Sequence, residues 1–138
     1  MRKYSAEDIG FINAFEKMTK AQVVDYINDE DSLYFVVKTG NFGAIIGRGG
    51  ENIHELSNKF GKKLKVFKYS KDLKEFVKNL IMRPVESIEV VESDKGKYLK
   101  IKASNKDKAM IIGCEGKNLN IIRELIKKQF KVKEIHIV

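Results

Sequence analysis

The chain contains one nine-residue segment twice, and this repeat restricts its architecture more than any other feature. Residues 45–53 read IIGRGGENI and residues 111–119 read IIGCEGKNL, with five identities and one Ile/Leu pair. The copies lie 66 residues apart in a chain of 138, and both glycine pairs stay aligned. A repeat of about half the chain length predicts two similar domains, residues 1–70 and residues 71–138.

The segments around the two copies predict the same order of elements in each half. A serine N-cap at Ser5 precedes an apolar stripe at helical spacing. Ser70 is the expected N-cap of a second such stripe, which ends before Pro84. Two strand-like runs, a short helix, a glycine loop, a longer helix and a strand follow each stripe. The predicted strands are 23–28, 33–39, 64–69, 85–92, 97–103 and 133–138, and the longer helices are 51–60 and 117–130. The sequence thus predicts an α+β fold of two helix-strand-strand-helix-helix-strand units, with the helices packed on one face of a three-stranded sheet.

The charge of the chain indicates the class of its partner. Lys and Arg number 27 against 19 Asp and Glu, so the net charge is +8, of which +6 falls in the second half. A basic surface attracts polyanions, and nucleic acid is the commonest of these. The alternative is a lysine-rich surface that only keeps the protein in solution.

Several classes of protein are excluded by composition. The apolar run Leu33–Val37 has five residues, whereas a membrane span needs about 20, and the N-terminus becomes acidic where a signal peptide would be apolar. A single cysteine, Cys114, excludes an intramolecular disulfide framework and a multi-cysteine zinc site. His54 and His136 have no metal-ligand partner at suitable spacing. We therefore expect a cytoplasmic protein that is not an enzyme and carries no cofactor or metal.

The glycine loops are the candidate functional sites. Glycine has no Cβ, so a phosphodiester backbone can approach the main chain closely, and the N-terminus of the following helix favours an anion. Apolar side chains beside the loop can form the floor of a groove for bases. The alternative is that the glycines are only turn residues between packed helices. The candidate residues are Ile46, Gly47, Arg48, Gly49, Gly50 and Ile53 in the first half, and Ile112, Gly113, Cys114, Glu115, Gly116 and Lys117 in the second.

Both loops resemble the signature of the KH family of RNA-binding domains. That signature is I-G-x-x-G between two helices, with an apolar residue three positions after the last glycine, as Ile53 and Leu119 are here. The element order resembles the type II KH arrangement, and two adjacent units in one basic chain resemble the archaeal NusA-like transcription factors. The resemblance implies a clamp on about four nucleotides of single-stranded RNA per loop. It also implies modulation of transcription elongation or termination through nascent RNA, with RNA polymerase or other transcription factors as further partners.

The two loops are not equivalent in charge. Glu115 occupies the position of Gly49, and Lys117 replaces Glu51 just beyond it. Because a carboxylate repels phosphate, we expect the first loop to hold RNA more strongly, with single-stranded RNA running from one groove to the next. The bacterial NusA pattern includes a polymerase-binding domain and an oligonucleotide-binding barrel, which are not seen here. A KH protein of ribosome assembly and a KH-fold adaptor for proteins remain alternatives.

Overall fold

The computed structural model describes residues 4–29 and 31–138, which form two compact units that divide between Ser70 and Lys71. The first unit consists of α1 (Ala6–Thr19), β1 (Gln22–Asp29), β2 (Ser32–Lys38), α2 (Phe42–Ile46), α3 (Glu51–Phe60) and β3 (Lys63–Lys68). The second consists of α4 (Leu73–Ile81), β4 (Ser87–Ser93), β5 (Gly96–Lys102), α5 (Asn105–Ile112), α6 (Lys117–Phe130) and β6 (Val132–Ile137). The predicted α+β class and element order are confirmed. Glu30, in the predicted β1–β2 turn, and residues 1–3 lie outside the described residues.

The element boundaries differ from the sequence prediction by one or two residues. The N-cap of α4 is Asp72, whose extended backbone directly precedes Leu73, so the expected cap at Ser70 is wrong. Strand β4 begins at Ser87 because its ladder with β5 starts with the pairing of Ser87 and Lys102. Both longer helices have their predicted bounds, and Gly61 ends the first of them in the left-handed conformation, with φ of 70°.

The two sheets have the same topology. In the first unit β1 pairs antiparallel with β2, and β3 pairs parallel with the other edge of β2. The second unit repeats this arrangement with β4, β5 and β6. A tight turn suffices for the antiparallel pair, whereas the parallel pair needs a crossover, which the two helices and the glycine loop supply. Each glycine loop is therefore part of the connection between the central strand and an edge strand.

Each unit has its own apolar core. In the first unit, Phe15 of α1 stacks on Phe35 of β2 with ring centroids 4.2 Å apart, and neither ring is exposed to solvent. In the second, the sheet residues Leu99 and Ile135 and the helix residue Leu125 are fully buried. Burial of each such side chain stabilises the fold by about 1.5–3 kcal/mol. Among the described residues, no helix is both long enough and apolar enough to cross a bilayer.

A hydrogen-bonded carboxylate joins the start of α1 to β1. The Ser5 hydroxyl accepts a hydrogen bond from the Asp8 amide, and Asp8 Oδ2 accepts one from the Ser5 amide, forming the predicted cap. The Tyr26 hydroxyl and the Asn28 amide donate to Asp8 Oδ1 at 2.8 and 3.0 Å. Burial raises the pKa of Asp8, but hydrogen bonds from Asn28, Ser5 and Tyr26 outweigh it and lower the pKa to about 2. The folded protein therefore stabilises the charged form of Asp8 relative to the protonated form.

We expect the Asp8→Asn variant to lose about 1–2 kcal/mol of unfolding free energy at pH 7, since the amide replaces a charged acceptor. The pKa of Asp8 is lower in the folded protein than the ordinary value of 3.8. Its contribution is therefore complete above that value and decreases as the pH falls towards 2. Urea denaturation at pH 7, 4 and 2.5 should show the difference between wild type and variant shrinking. A difference that is constant over this range would contradict the assignment.

Candidate nucleic-acid interface

The two glycine loops have nearly the same backbone conformation. Gly47 ends α2, a short 3₁₀ turn covers Arg48–Gly50, and Gly50 is the N-cap of α3 with φ of 78°. In the second unit Gly116 caps α6 with φ of 73°. The middle residues Gly49 and Glu115 have φ of 62° and 56°, both left-handed. The loop geometry is therefore preserved although only one of these two residues is glycine.

The first glycine of each loop is required by the protein's own packing. A Cβ on Gly47 would lie 2.8 Å from Asn52 Cγ and 2.9 Å from its amide nitrogen, and φ is 79°. The Asn52 side chain donates to the Ala44 carbonyl at 2.7 Å and thereby holds the end of α2 against α3. Gly113 and Asn118 repeat this contact, with 2.8 Å between the added Cβ and that of Asn118. By contrast, Cβ atoms on Gly49 and Gly50 would meet no other atom within 4 Å. Close approach of a ligand to the main chain thus remains a prediction for Gly49 and Gly50. At Gly47, Asn52 fills the space that a Cβ atom would enter.

An open groove of about 400 Å³ lies beside the loop of the first unit. Its lining comes from the loop, one face of α3 and the edge strand β3, and consists of Gly49, Gly50, Ile53, His54, Ser57, Lys63, Leu64 and Lys65. Ile53 is half-buried, whereas His54, Lys63 and Lys65 are exposed. Arg48 is exposed in the loop at one end of the groove. The groove therefore combines an apolar floor with basic side chains.

The structure places the predicted residues of the first loop in three different settings. Gly49, Gly50 and Ile53 line the groove. Arg48 lies in the exposed loop next to it. Ile46 is half-buried and packs against the core of the unit, and Gly47 contacts Asn52, so neither lines the groove.

The predicted residues of the second loop also divide by exposure. Cys114, Glu115 and Lys117 are exposed, whereas Ile112, Gly113 and Gly116 are half-buried. Leu119, which corresponds to Ile53, is only 8% exposed and belongs to the core. The second site therefore offers less apolar surface to a base than the first.

The sequence reasoning missed five residues that line the first groove: His54, Ser57, Lys63, Leu64 and Lys65. A signal for the two lysines was present, since Lys63-Leu64-Lys65 alternates as an edge strand does. Ser57 lies four residues after Ile53 and three after His54, which places it beside both on α3. Only the packing of α3 beside β3 in the three-dimensional structure shows that these residues face a common space.

A larger cavity of about 580 Å³ lies elsewhere in the first unit, between the end of α1, the start of α2 and α3. Its charged lining residues are Lys20 and Glu55, so their formal charges cancel. Gly49 and Gly50 are not part of its lining. A polyanion is therefore favoured at the smaller groove, where Lys63 and Lys65 lie near the loop.

The left-handed conformation of Glu115 carries a cost in stability. A side chain in this region is disfavoured by roughly 1 kcal/mol, which glycine avoids. We expect Glu115→Gly to raise the unfolding free energy by about 0.5–1 kcal/mol and Gly49→Ala to lower it by a similar amount. Urea denaturation of both variants provides the measurement. Equal shifts of the same sign would contradict the role assigned to the backbone angle.

The chain is similar in sequence to proteins of one known family. The KH domain family model matches residues 12–85, which include the whole first glycine loop and groove. The probable transcription termination protein NusA of Methanococcus vannielii is 41% identical over 138 residues, covering 99% of this chain and 79% of that protein. The chain belongs to the NusA-like family of KH proteins.

Further NusA-like relatives and a solved structure agree over almost the whole chain. The probable transcription termination protein NusA of Methanocaldococcus jannaschii is 33% identical, covering 99% of this chain and 75% of that protein. The crystal structure of APE1850 has a TM-score of 0.77 and 37% identity, and covers 98% of this chain and all of the other. The NusA-like fold therefore includes both units described above.

Proposed function

We propose that this protein binds single-stranded RNA and that the groove of the first unit is a binding site. The observation that carries the proposal is an open groove beside a left-handed glycine loop that leads into a helix N-terminus, with Lys63 and Lys65 in its lining. KH domains clamp about four nucleotides of backbone with such a loop. The apolar floor of the groove suits unstacked bases better than a duplex.

The residues of the groove divide the work of binding. The exposed guanidinium of Arg48 and the first amides of α3 meet the phosphates, since unpaired N–H groups and the helix dipole both favour an anion. Gly49 and Gly50 carry no Cβ, which leaves room for the sugar–phosphate backbone. Ile53 supplies an apolar contact for a base, and the exposed ring of His54 can stack on the next one.

The RNA target we propose is the nascent transcript. Relatives that match nearly the full chain are probable transcription termination proteins. A protein that binds emerging single-stranded RNA can alter its folding or its contact with RNA polymerase, which changes elongation or termination. This role makes RNA polymerase or other transcription factors the expected protein partners and the cytoplasm the expected location.

A matched pair of variants tests RNA binding at the groove. Arg48→Glu reverses an exposed charge in the loop, and Lys74→Glu reverses an exposed charge on α4. We expect the first variant to bind a labelled single-stranded 12-mer RNA about tenfold more weakly, with the slope of log K against log salt reduced by about 0.7. Lys74→Glu should retain wild-type affinity within about threefold. Fluorescence anisotropy across a salt series measures both quantities, and equal losses in the two variants would refute the site.

The proposed role in transcription needs a separate test. Purified archaeal RNA polymerase on a template with a terminator gives the fraction of terminated transcripts with and without the protein. We expect wild type and Lys74→Glu to change this fraction and Arg48→Glu to do so only at higher concentration. RNA binding without any effect on pausing or termination would overturn the transcriptional role and leave the binding site standing.

A further inference from the structure

The first groove and the corresponding surface of the second unit can be compared position by position because the strand pairing repeats. We call this surface, formed by the second glycine loop, α6 and β6, the second groove. Lys63 of β3 pairs with Ser32, and Glu134 of β6 pairs with Tyr98. Ser32 and Tyr98 are separated by 66 residues, the repeat length. Glu134 therefore occupies in the second unit the place of Lys63 in the first. An acidic side chain stands where the first groove has a basic one.

The same comparison identifies a change on the longer helix. Arg123 lies seven residues after Gly116, the N-cap of α6, and Ser57 lies seven residues after Gly50, the N-cap of α3. Ser57 lines the first groove, and its hydroxyl donates to the Lys62 carbonyl at 2.6 Å. This short neutral side chain reaches only the backbone directly before β3. A long basic side chain replaces it in the second unit.

Arg123 reaches from α6 to the edge strand β6. Its Nε lies 3.3 Å from Glu134 Oε1, and its Nη2 donates to the Ile135 carbonyl at 3.3 Å. Its Nε atom is inaccessible to solvent and makes no hydrogen bond, so its contact with Glu134 is an ion pair alone. The Ile135 amide also donates to Glu134 Oε1, at 3.2 Å, which holds the carboxylate in place. We call these contacts the Arg123–Glu134 bridge.

The charges around the second groove are also less favourable to a polyanion. Glu115 in the loop adds a second carboxylate, and the position of Lys65 is taken by His136, so an imidazole replaces a lysine ammonium group. Glu134 and Glu115 together offset the charge of Arg123. Phosphate entering this groove would meet carboxylates, and it would compete with Glu134 for the guanidinium.

We propose that the Arg123–Glu134 bridge closes the second groove to RNA, so that the two units, alike in fold, differ in affinity by at least tenfold. The inference rests on the proposed function, because it assumes that the first groove binds RNA. Arg123 and Glu134 are then the residues that determine which unit binds the RNA. Replacing them with their first-unit counterparts opens the second groove.

The test grafts the first groove onto the second. A background variant, Arg48→Glu/Lys63→Glu/Lys65→Glu, removes the basic side chains of the first groove. On this background we introduce the exchange Glu115→Gly/Arg123→Ser/Glu134→Lys, and in a parallel control Glu124→Lys, which makes the same change in net charge on an exposed position of α6. We expect the exchange to restore RNA affinity to within about tenfold of wild type. The control should restore none.

A reciprocal variant decides the question if the grafted protein does not fold. Ser57→Arg/Lys63→Glu installs the bridge in the first unit of the otherwise native chain. We expect this variant to bind RNA at least tenfold more weakly than Lys63→Glu alone, because only the double variant can close the groove. Circular dichroism and thermal denaturation establish that each variant is folded before anisotropy is measured.

The outcomes separate this inference from the proposed function. Restoration by the graft, or loss through the reciprocal pair, supports the bridge as the closing device. If the background variant loses RNA and neither exchange has its expected effect, the inference fails and the proposed function stands. If the background variant binds RNA as tightly as wild type, the second groove is already open and the inference is overturned. A wild-type protein that binds no RNA overturns both.

Discussion

Replacing Gly47 with alanine is expected to lower the unfolding free energy by about 2–5 kcal/mol. The added Cβ would lie within 2.9 Å of the Asn52 backbone nitrogen, which cannot move without displacing the start of α3. The backbone angles of Gly47, φ 79° and ψ 173°, fall in a region that only glycine adopts readily. Both effects act on the same residue, so the loss exceeds that of an ordinary surface substitution. Urea denaturation followed by circular dichroism measures it.

Two alanine variants serve as controls for this prediction. Gly43 lies in α2 without a positive φ and with no atom within 4 Å of an added Cβ, so Gly43→Ala should stabilise the protein by about 0.5–1 kcal/mol. Gly113→Ala should repeat the loss in the second unit, because a Cβ there would lie 2.8 Å from the Asn118 Cβ. If Gly47→Ala and Gly43→Ala have the same stability, the close approach of Asn52 does not constrain the loop.

Reversing the charges of Arg48 beside the first groove and of Lys63 and Lys65 in its lining is expected to weaken RNA binding by about 100- to 1000-fold. In the variant Arg48→Glu/Lys63→Glu/Lys65→Glu, each reversed charge loses one phosphate contact, and the slope of log K against log salt should fall by about 2. All three side chains are exposed, so the fold should persist. Anisotropy with the labelled 12-mer across the salt series gives both the affinity and the slope.

The control for the triple variant changes the net charge of the chain by the same amount. Lys71, Lys74 and Lys78 are exposed residues of the second unit outside the groove. Their replacement by glutamate should reduce affinity by less than about tenfold, because none of the three residues lines the groove and exposed charges are screened by salt. Comparable losses in the two triple variants would mean that overall charge, and not the groove, holds the RNA.

The sequence predicted the fold well because the decisive information was local and was present twice. Apolar periodicity specified the helices, and the repeated I-G-x-x-G segment specified where each short helix ends and each longer helix begins. The errors lie at the cap of α4 and the start of β4, where neighbouring residues such as Ser70 and Asp72 are both able to cap a helix. Such choices depend on packing and shift a boundary by one or two residues.

The candidate site was predicted less completely than the fold. Gly49, Gly50 and Ile53 come from one segment and were named from it, whereas Lys63, which lines the same groove, comes from β3 and was not. At Gly47, Asn52 of the same unit lies within 2.9 Å of the position of an added Cβ, a contact that the motif alone did not indicate. A motif indicates which residues are candidates for a site, but only the three-dimensional structure shows what each of them contacts.

The sequence by itself determined the two-unit α+β architecture, the family and the loops, because each depends on spacing along the chain. The tertiary structure alone decided which side chains from α3 and β3 share a groove, and that Arg123 meets Glu134 in the second unit. These contacts depend on the parallel register between the central and edge strands, which brings residues of a helix and a strand together across a turn. Register is set by the packing of a whole face of the sheet, so no short segment encodes it.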